Sequence, residues 1–185
     1  AYMTGPPDRP LRAGAPVIDI MGGSYGVIGI ITALYERERT GRGQFVQATL
    51  FESTAFLVAI HMTNAAITRK PAPPMPARVS AWSIYDLFKS KEGDWVFVGI
   101  TSDLQWKRFY KTFGLEALGA DARLATNNSR VEERKWLIPE LQKLFQGMEK
   151  MEIFRLCTEA SIPFSPVSKP EDLFEDPQLN EGGGL

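Results

Sequence analysis

Cysteine and histidine are nearly absent from this chain, which has one of each in 185 residues. The single Cys157 excludes an internal disulfide and any zinc site built from several cysteines. It suits a reducing compartment, and we expect a cytoplasmic protein. The single His61 stands among apolar residues, without a Ser or Asp arrangement nearby, which favours a helix-face histidine over a base or a ligand. We therefore expect no metal site.

Excess charge of one sign and long apolar runs are also missing. The 21 basic and 22 acidic residues give a formal net charge of −1, so there is no broad basic field for nucleic acid. No stretch reaches the roughly 18 uninterrupted apolar residues of a membrane span. We expect neither nucleic acid nor a membrane as a partner. The glycine-rich stretches match neither a phosphate-binding loop nor a dinucleotide fingerprint, which argues against a nucleotide redox cofactor.

What is present is an ordinary globular composition. Hydrophobic residues make up 44% of the chain and charged residues 23%, enough for a real core in one or two compact units. The chain opens without Met, in a proline-rich stretch that does not resemble a signal peptide. It reaches its most informative motif within 19 residues. We interpret it as a piece of a longer protein.

The first part of the chain predicts a unit of mixed α/β type. Apolar residues predict a buried helix from about Gly23 to Arg39, with Gly41 as its stop. Alternation predicts a strand from Gln44 to Leu50, followed by a helix from about Phe51 to Ala66. The prolines after Lys70 cannot sustain a helix or a central strand. We assign residues 1–69 to part of a large α/β domain, 70–78 to a linker and 79–185 to a small α+β domain.

The second part predicts an antiparallel hairpin followed by helices. The hairpin strands are Trp82 to Lys89 and Trp95 to Ile100, joined by a turn at Gly93. Ser102 or Asp103 is placed to cap the next helix, which Gly114 ends. Further along, a helix cap is predicted at Asn127 to Ser129. Apolar residues at helical spacing then predict a helix that runs through Phe145 and that Pro139 kinks or splits. A helix from Lys150 to Ala160 and an extended segment from Ile162 to Val167 are predicted after it.

Asp19 is the strongest candidate for a reactive group. It lies between the apolar pair Val17-Ile18 and the small residues Gly22, Gly23 and Ser24, near the start of a helix. A helix N-terminus favours an anion, and an ionised carboxylate is a usable nucleophile toward a thioester. Gly22 and Gly23 would permit close approach of substrate and supply backbone N–H groups to an oxyanion. The alternative is that Asp19 only caps the helix, and spacing alone favours this cap.

The run from Pro16 to Gln44 resembles the aspartate motif of the class III coenzyme A transferases, the CaiB/BaiF family. That family includes formyl-CoA and carnitine CoA-transferases and alpha-methylacyl-CoA racemase. The resemblance continues through the second part of the chain, in segments at 78–85, 94–99, 102–106, 130–134, 162–163 and 176–179. It implies that Asp19 is the catalytic carboxylate, which reverses the preference for a cap.

The resemblance also implies a fold, substrates and an assembly. The fold is a Rossmann-like α/β large domain followed by a smaller α+β domain, and family members are interlocked dimers. The implied reaction moves CoA from an acyl-CoA thioester to a small carboxylic acid through a covalent intermediate on Asp19. The CoA thioester is then a substrate rather than a resident cofactor, and a homodimer is expected.

Three residues near the predicted domain junction are further candidates for substrate binding. Arg78 is of the type that binds carboxylates bidentately, and Trp82 and Tyr85 would contact an acyl group. Hairpin packing with a surface ion pair explains the same residues equally well.

Two alternatives remain open at this point. A racemase of this family uses a small-domain glutamate and an upstream histidine, but Ser102 takes the glutamate position, and serine needs an activating partner to act as a base. The formyl-CoA branch has a glycine-rich loop where this chain has its prolines, which argues against formyl-CoA and oxalate as substrates.

The other alternative belongs to a different class of function. In it the chain is a non-catalytic assembly module or an inactive fragment, and Asp19 serves only as a helix cap.

Overall fold

The computed structural model describes residues 1–183 and divides into two compact units. The first unit runs from Ala1 to Arg78 and the second begins at Val79. The first unit contains three helices and a short 3-10 turn within the proline-rich stretch: α1 Val17–Thr40, α2 Leu50–Leu57, α3 Ala59–Thr68 and the turn Met75–Ala77.

The helix α1 begins at Val17, upstream of the predicted start at Gly23. Pro16 is the N-cap and Asp19 lies in the first turn, where a carboxylate complements the partial positive charge of the helix end. The helix ends as predicted at Gly41. This glycine has a φ of 70° and donates its N–H to the Arg37 carbonyl at 2.8 Å.

The strand predicted from Gln44 to Leu50 is wrong. Residues 42–49 have no regular secondary structure, and Leu50 is the first residue of α2. A strand needs a neighbour to complete its hydrogen-bond ladder, and the described residues of the first unit contain no other strand. Thr49 instead caps α2, its hydroxyl oxygen accepting the Glu52 N–H at 3.1 Å.

Residues 46–50 pack against a face of α1 that carries glycines. Gly22, Gly26 and Gly29 follow helical spacing and lie on one side of α1. A Cβ atom at Gly22 would come within 2.5 Å of the Leu50 side chain, and one at Gly29 within 2.8 Å of Val46. The glycines therefore permit close approach of the segment to the helix, which sets where the N-terminal end of α1 stands relative to α2.

The single helix predicted from Phe51 to Ala66 is two helices. The axes of α2 and α3 differ by 58°. The break is at Val58, whose carbonyl accepts the N–H groups of His61 and Met62 at 2.9 and 3.0 Å. Those bonds begin a new helix in a new direction, so Val58 and the end of α2 remain available to line a cavity.

The second unit is built on the predicted hairpin, which the structure confirms. The strands β1 (Ile84–Lys89) and β2 (Trp95–Ile100) pair antiparallel, with Lys89 opposite Trp95. Gly93 in the connecting turn has a φ of 88°, a conformation that glycine adopts without steric cost. The predicted extended segment supplies β3 (Phe164–Pro166), which pairs antiparallel with β2, so the sheet order is β1-β2-β3.

Helices cover one face of this sheet. The core consists of sheet residues such as Phe88 and Val98 together with helix residues such as Phe109, Leu141 and Ile153, all fully buried or nearly so. Ser102 caps α4 as predicted. The helices of this unit are α4 Asp103–Thr112, α5 Glu116–Ala120, α6 Asn127–Glu132, α7 Arg134–Gln146, α8 Lys150–Ala160 and α9 Pro177–Glu181.

Two details around α6 and α7 differ from the predictions. The cap of α6 is Thr126, in a reciprocal capping box with Ser129. The helical run splits at Glu133 rather than at Pro139, which lies inside α7. The Glu133 carbonyl accepts the N–H groups of Trp136 and Leu137, so α7 begins there.

Arg130 on α6 is the largest fully buried side chain of the second unit. Its guanidinium donates to Ser83 Oγ at 3.2 Å, to the Leu124 carbonyl at 2.8 Å and to Asp103 Oδ1 at 2.6 Å. It also lies 5.1 Å from the Trp106 ring centroid. These partners compensate for burying the charge and tie α4 and α6 to the start of the hairpin.

By length and composition, α1 is apolar enough to cross a membrane. An 18-residue window has a mean hydropathy of 1.7, with only 6% of it buried. This differs from the prediction based on uninterrupted apolar runs, because glycine, serine and threonine interrupt the run without making the helix strongly polar. A core helix of a soluble protein passes the same test of length and composition, so the absence of a membrane partner stays a prediction.

The packing of α1 predicts that substitution at two neighbouring glycines changes the stability of the protein to different extents. Valine at either position has the same intrinsic helix propensity, but Gly22 contacts Leu50 whereas a Cβ at Gly23 meets nothing within 4 Å. We expect Gly22→Val to be less stable than Gly23→Val by about 1–3 kcal/mol in urea unfolding. Equal stability of the two variants would contradict the close approach.

The hydrogen bonds of Arg130 predict a large loss of stability when its side chain is removed. Arg130→Ala leaves Ser83, Leu124 and Asp103 without their donor, and we expect it to cost about 3–5 kcal/mol in the free energy of unfolding. The control is Arg155→Ala on α8, which removes an exposed ion pair to Glu159 and should cost at most about 1 kcal/mol. The assignment fails if both variants unfold at the wild-type midpoint.

Candidate functional site

A cavity of about 550 Å³ lies at the N-terminal end of α1. Three pieces of the first unit form its walls: residues 1–4, the segment from Arg12 to Asp19, and the end of α2 with Val58. Its volume is within the range of about 300–1,000 Å³ that small-molecule sites occupy.

Backbone hydrogen bonds hold these walls. The Met75 N–H donates to the Met3 carbonyl at 3.0 Å, which fixes residues 1–4 against the proline-rich stretch. The Val17 N–H donates to the Ala15 carbonyl at 2.9 Å and turns the chain into α1. The cavity is thus formed by ordered backbone and not by side chains alone.

Asp19 lines this cavity from the first turn of α1. Its side chain is exposed and makes no capping hydrogen bond. Within residues 1–183 it takes part in no ion pair. The Val17 and Ile20 N–H groups are bonded to the Ala15 and Pro16 carbonyls, so Ile18 and Asp19 itself supply the free donors of the helix end. The carboxylate therefore stands beside free backbone donors and is open to a ligand.

Gly22 and Gly23 stand outside the cavity lining, one turn further along α1. Gly22 is buried against Leu50, and Gly23 faces open space. Both lie beyond the first turn, where N–H groups are engaged within the helix. The predicted contact of these two residues with a CoA thioester therefore stays a prediction. What the structure shows for Gly22 is a packing role that positions Asp19.

Arg12 is a functional candidate that the sequence reasoning missed. It is an exposed residue that lines the same cavity as Asp19. Among the described residues it forms neither an ion pair nor a side-chain hydrogen bond. In a recess of the second unit, by contrast, Lys150 is already paired with Asp94 at 2.6 Å. The feature of the sequence that points to Arg12 is a cation seven residues before Asp19, in a segment rich in small residues.

The three tentative substrate-binding residues lie in different places. Arg78 is the last residue of the first unit and is exposed. Trp82 is 39% exposed in a bend of the second unit, before β1 begins. Tyr85 on β1 is 50% exposed and packs edge-on against Phe97 with ring centroids 4.7 Å apart. None of the three lines the Asp19 cavity, and their role in substrate binding stays a prediction.

The remaining polar candidates have structural surroundings. The Ser102 hydroxyl accepts the Gln105 N–H at 3.2 Å as the cap of α4, so no base activates it among the residues described. Burial raises the pKa of the Cys157 thiol to about 12, which keeps it protonated and unreactive. His61 lines a shallow recess of the first unit beside Met3 and Met75. Residues 1–183 contain no group of three or more His, Cys, Asp or Glu side chains placed to hold a metal ion.

Comparison with known proteins places this chain in a family. The model of CoA-transferase family III matches residues 1–185. The chain is 29% identical over 182 residues to a succinate–glutarate CoA-transferase of Agrobacterium fabrum, covering 98% of this chain and 45% of that protein. It is 27% identical over 183 residues to the human succinyl-CoA:glutarate CoA-transferase, covering 98% and 42%. The beta subunit of the Chloroflexus aurantiacus succinyl-CoA–L-malate CoA-transferase is 26% identical over 180 residues, with coverages of 95% and 44%.

Solved structures agree with the sequence comparison. A CaiB/BaiF family protein from Brucella suis superposes with a TM-score of 0.76 at 29% identity, covering 98% of this chain and 48% of that one. A hypothetical protein from Mycobacterium tuberculosis gives a TM-score of 0.77 at 19% identity, with coverages of 97% and 47%, which shows the shared fold. The α/β family fold predicted from the sequence is confirmed, as the part of it that this chain contains.

The chain spans a little under half the length of the relatives it matches. The family model nevertheless covers it from end to end. The chain belongs to CoA-transferase family III.

Proposed function

We propose that the protein carrying this chain transfers CoA from an acyl-CoA thioester to a carboxylic acid, with Asp19 as the covalent carrier. The observation that supports this most is the position of Asp19. It is an unpaired carboxylate at a helix N-terminus, on the wall of a cavity large enough for a small acid. Relatives named for transfer between succinyl-CoA and glutarate or malate support the reaction class and favour short dicarboxylic acids.

The first half-reaction loads Asp19. One carboxylate oxygen attacks the thioester carbonyl, the carbon–sulfur bond breaks, and CoA departs as the thiolate. An aspartyl-acyl anhydride remains on Asp19. The thiolate then attacks the aspartyl carbonyl of this anhydride. The donor acid departs as its carboxylate, and Asp19 holds CoA as a thioester.

The second half-reaction runs the same steps in reverse with another acid. The carboxylate of the acceptor attacks the aspartyl thioester, releases CoA thiolate and forms a new anhydride. Attack of the thiolate on the acceptor's carbonyl yields the new acyl-CoA and restores the Asp19 carboxylate. No net proton is consumed, so the scheme needs a reactive carboxylate and donors for the oxyanions but no separate base.

The alternatives have less support. A helix cap at Asp19 would give the carboxylate a structural role, but it makes no capping hydrogen bond and Pro16 occupies the cap position. Racemisation requires a base for the α-proton, and Ser102 is engaged in capping α4.

Replacing Asp19 should remove activity without unfolding the protein. In the complete natural protein, we expect Asp19→Ala and Asp19→Asn to lower kcat for CoA transfer at least about 10³-fold, because the covalent carrier is lost. Asp8→Asn is the matched control, since Asp8 is an exposed carboxylate nearby that does not line the cavity. The proposal is overturned if Asp19→Ala transfers CoA at the wild-type rate.

The assembly and location proposed with this function are a homodimer in the cytoplasm. The near absence of cysteine supports the location. The resemblance to interlocked dimers supports the homodimer. Ile31, Ile60 and Ile67 of the first unit are 61%, 75% and 78% exposed, an apolar surface that either a partner subunit or the rest of the complete protein would cover. Light scattering of the complete natural protein should give twice the mass of one chain, and a monomer would contradict this proposal.

A further inference from the structure

We infer that Arg12 is the acid-binding residue of the Asp19 cavity, and that it selects dicarboxylic acids by pairing with the carboxylate that does not react. This inference rests on the proposed function, and it assigns a role to a residue outside the aspartate motif. The observation that carries it is the presence of two opposite, unpaired charges in the lining of one cavity.

The two charges are arranged to hold a ligand rather than each other. Arg12 and Asp19 both line the cavity, but no ion pair joins them, so their charged atoms are more than 4.0 Å apart. An acid whose first carboxylate attacks at Asp19 therefore leaves Arg12 free to bind a second carboxylate at its other end.

The chemistry of arginine fits a carboxylate in this place. A guanidinium carries five N–H donors in a planar fork that binds a carboxylate bidentately. Within the described residues the Arg12 side chain donates to no protein acceptor. Its neighbours in the lining include Ala13, Ala15 and Val17, which bring no competing charge. Arg12 is exposed, so the selectivity comes from the bidentate geometry of the fork rather than from burial of the pair.

Arg12 also offsets a repulsion that the reaction creates. When a dicarboxylic acyl-CoA binds, its free carboxylate enters the same cavity as the Asp19 carboxylate, and the helix end favours negative charge only locally. A cation in the same cavity attracts the incoming acid and orients it with one carboxylate toward Asp19. A monocarboxylic acid of the same length lacks the second anchor.

Arginine binds phosphate as readily as carboxylate, but the location favours the acid. In acyl-CoA the phosphates are separated from the thioester by the long pantetheine arm. A group that shares a small cavity with the attacking carboxylate lies next to the acyl end of the substrate. Arg12 therefore binds the carboxylate of the acid and not the phosphates of CoA.

The test compares acceptor acids that differ only in the second carboxylate. In the complete natural protein, KM and kcat are measured for glutarate against pentanoate and for succinate against butyrate, with the acyl-CoA donor held constant. We expect the wild type to prefer the dicarboxylic acids. Arg12→Gln should raise KM for glutarate and succinate roughly 10- to 100-fold, with little change for the monocarboxylic acids. Arg12→Lys keeps the charge without the fork and should fall in between.

The matched control is Arg9→Gln. Arg9 is an exposed arginine three residues away that does not line the cavity, and its loss should leave all four acids unchanged. Three results would overturn the inference: a wild type without preference for dicarboxylic acids, an Arg12→Gln variant that weakens all acids equally, or one that raises only the KM of the acyl-CoA, which would place Arg12 at the phosphates.

Failure of the proposed function gives a different result. If the wild type transfers CoA to none of the acids, both the function and the role of Arg12 fall. If the wild type transfers CoA and Arg12→Gln keeps the same preference, the role of Arg12 alone is wrong. Circular dichroism of each variant shows whether a loss comes from unfolding.

Discussion

The close contact between α1 and residues 46–50 is the constraint on which the candidate site depends. Glycines at 22, 26 and 29 let the segment lie directly on the helix, which fixes the N-terminal turn of α1 beside the end of α2. That turn carries Asp19, and the end of α2 supplies the opposite wall of its cavity. A larger side chain at Gly22 would displace the helix end and with it the carboxylate. Packing and chemistry are therefore set by the same face of one helix.

The electrostatics of this cavity suit an exchange reaction. The proposed transfer of CoA between two acids replaces one thioester by another, and each proposed intermediate on Asp19 is itself an activated acyl bond. The protein has to present a carboxylate that is ionised, accessible and not occupied by a salt bridge. Asp19 is exposed in the first turn of α1, and no described residue pairs with it. Some charges elsewhere in the chain are paired, as for Arg130 with Asp103 and Lys150 with Asp94.

Local patterns predicted the elements whose formation depends on nearby residues. The hairpin at β1 and β2, the Ser102 cap, the stop at Gly41 and the helix α8 all follow from turn and capping chemistry within a few residues. The strand predicted at 44–50 failed because strand formation depends on a partner that the described residues of the first unit do not supply. The splits at Val58 and Glu133 depend on backbone bonds that composition does not show.

The candidate site was predictable in its centre and not in its surroundings. Asp19 was found because a carboxylate before a glycine-rich apolar helix is an unusual combination that also matches a family motif. Arg12 was not a candidate from the sequence, because its place in the cavity lining comes from the folding of residues 1–4 and α2 around it. Gly22 and Gly23 have the same identity in the sequence, yet only Gly22 faces Leu50, a difference that only the packed structure reveals.

If Asp19 carries CoA, it becomes covalently bonded during turnover, and peptide mapping by mass spectrometry detects that bond. The complete natural protein is incubated with an acyl-CoA, treated with hydroxylamine to trap anhydride or thioester, and digested. We expect a hydroxamate on the peptide that contains Asp19, formed only when acyl-CoA is present. A protein that turns over acyl-CoA while this peptide stays unmodified, or that carries the hydroxamate at another carboxylate, would contradict it.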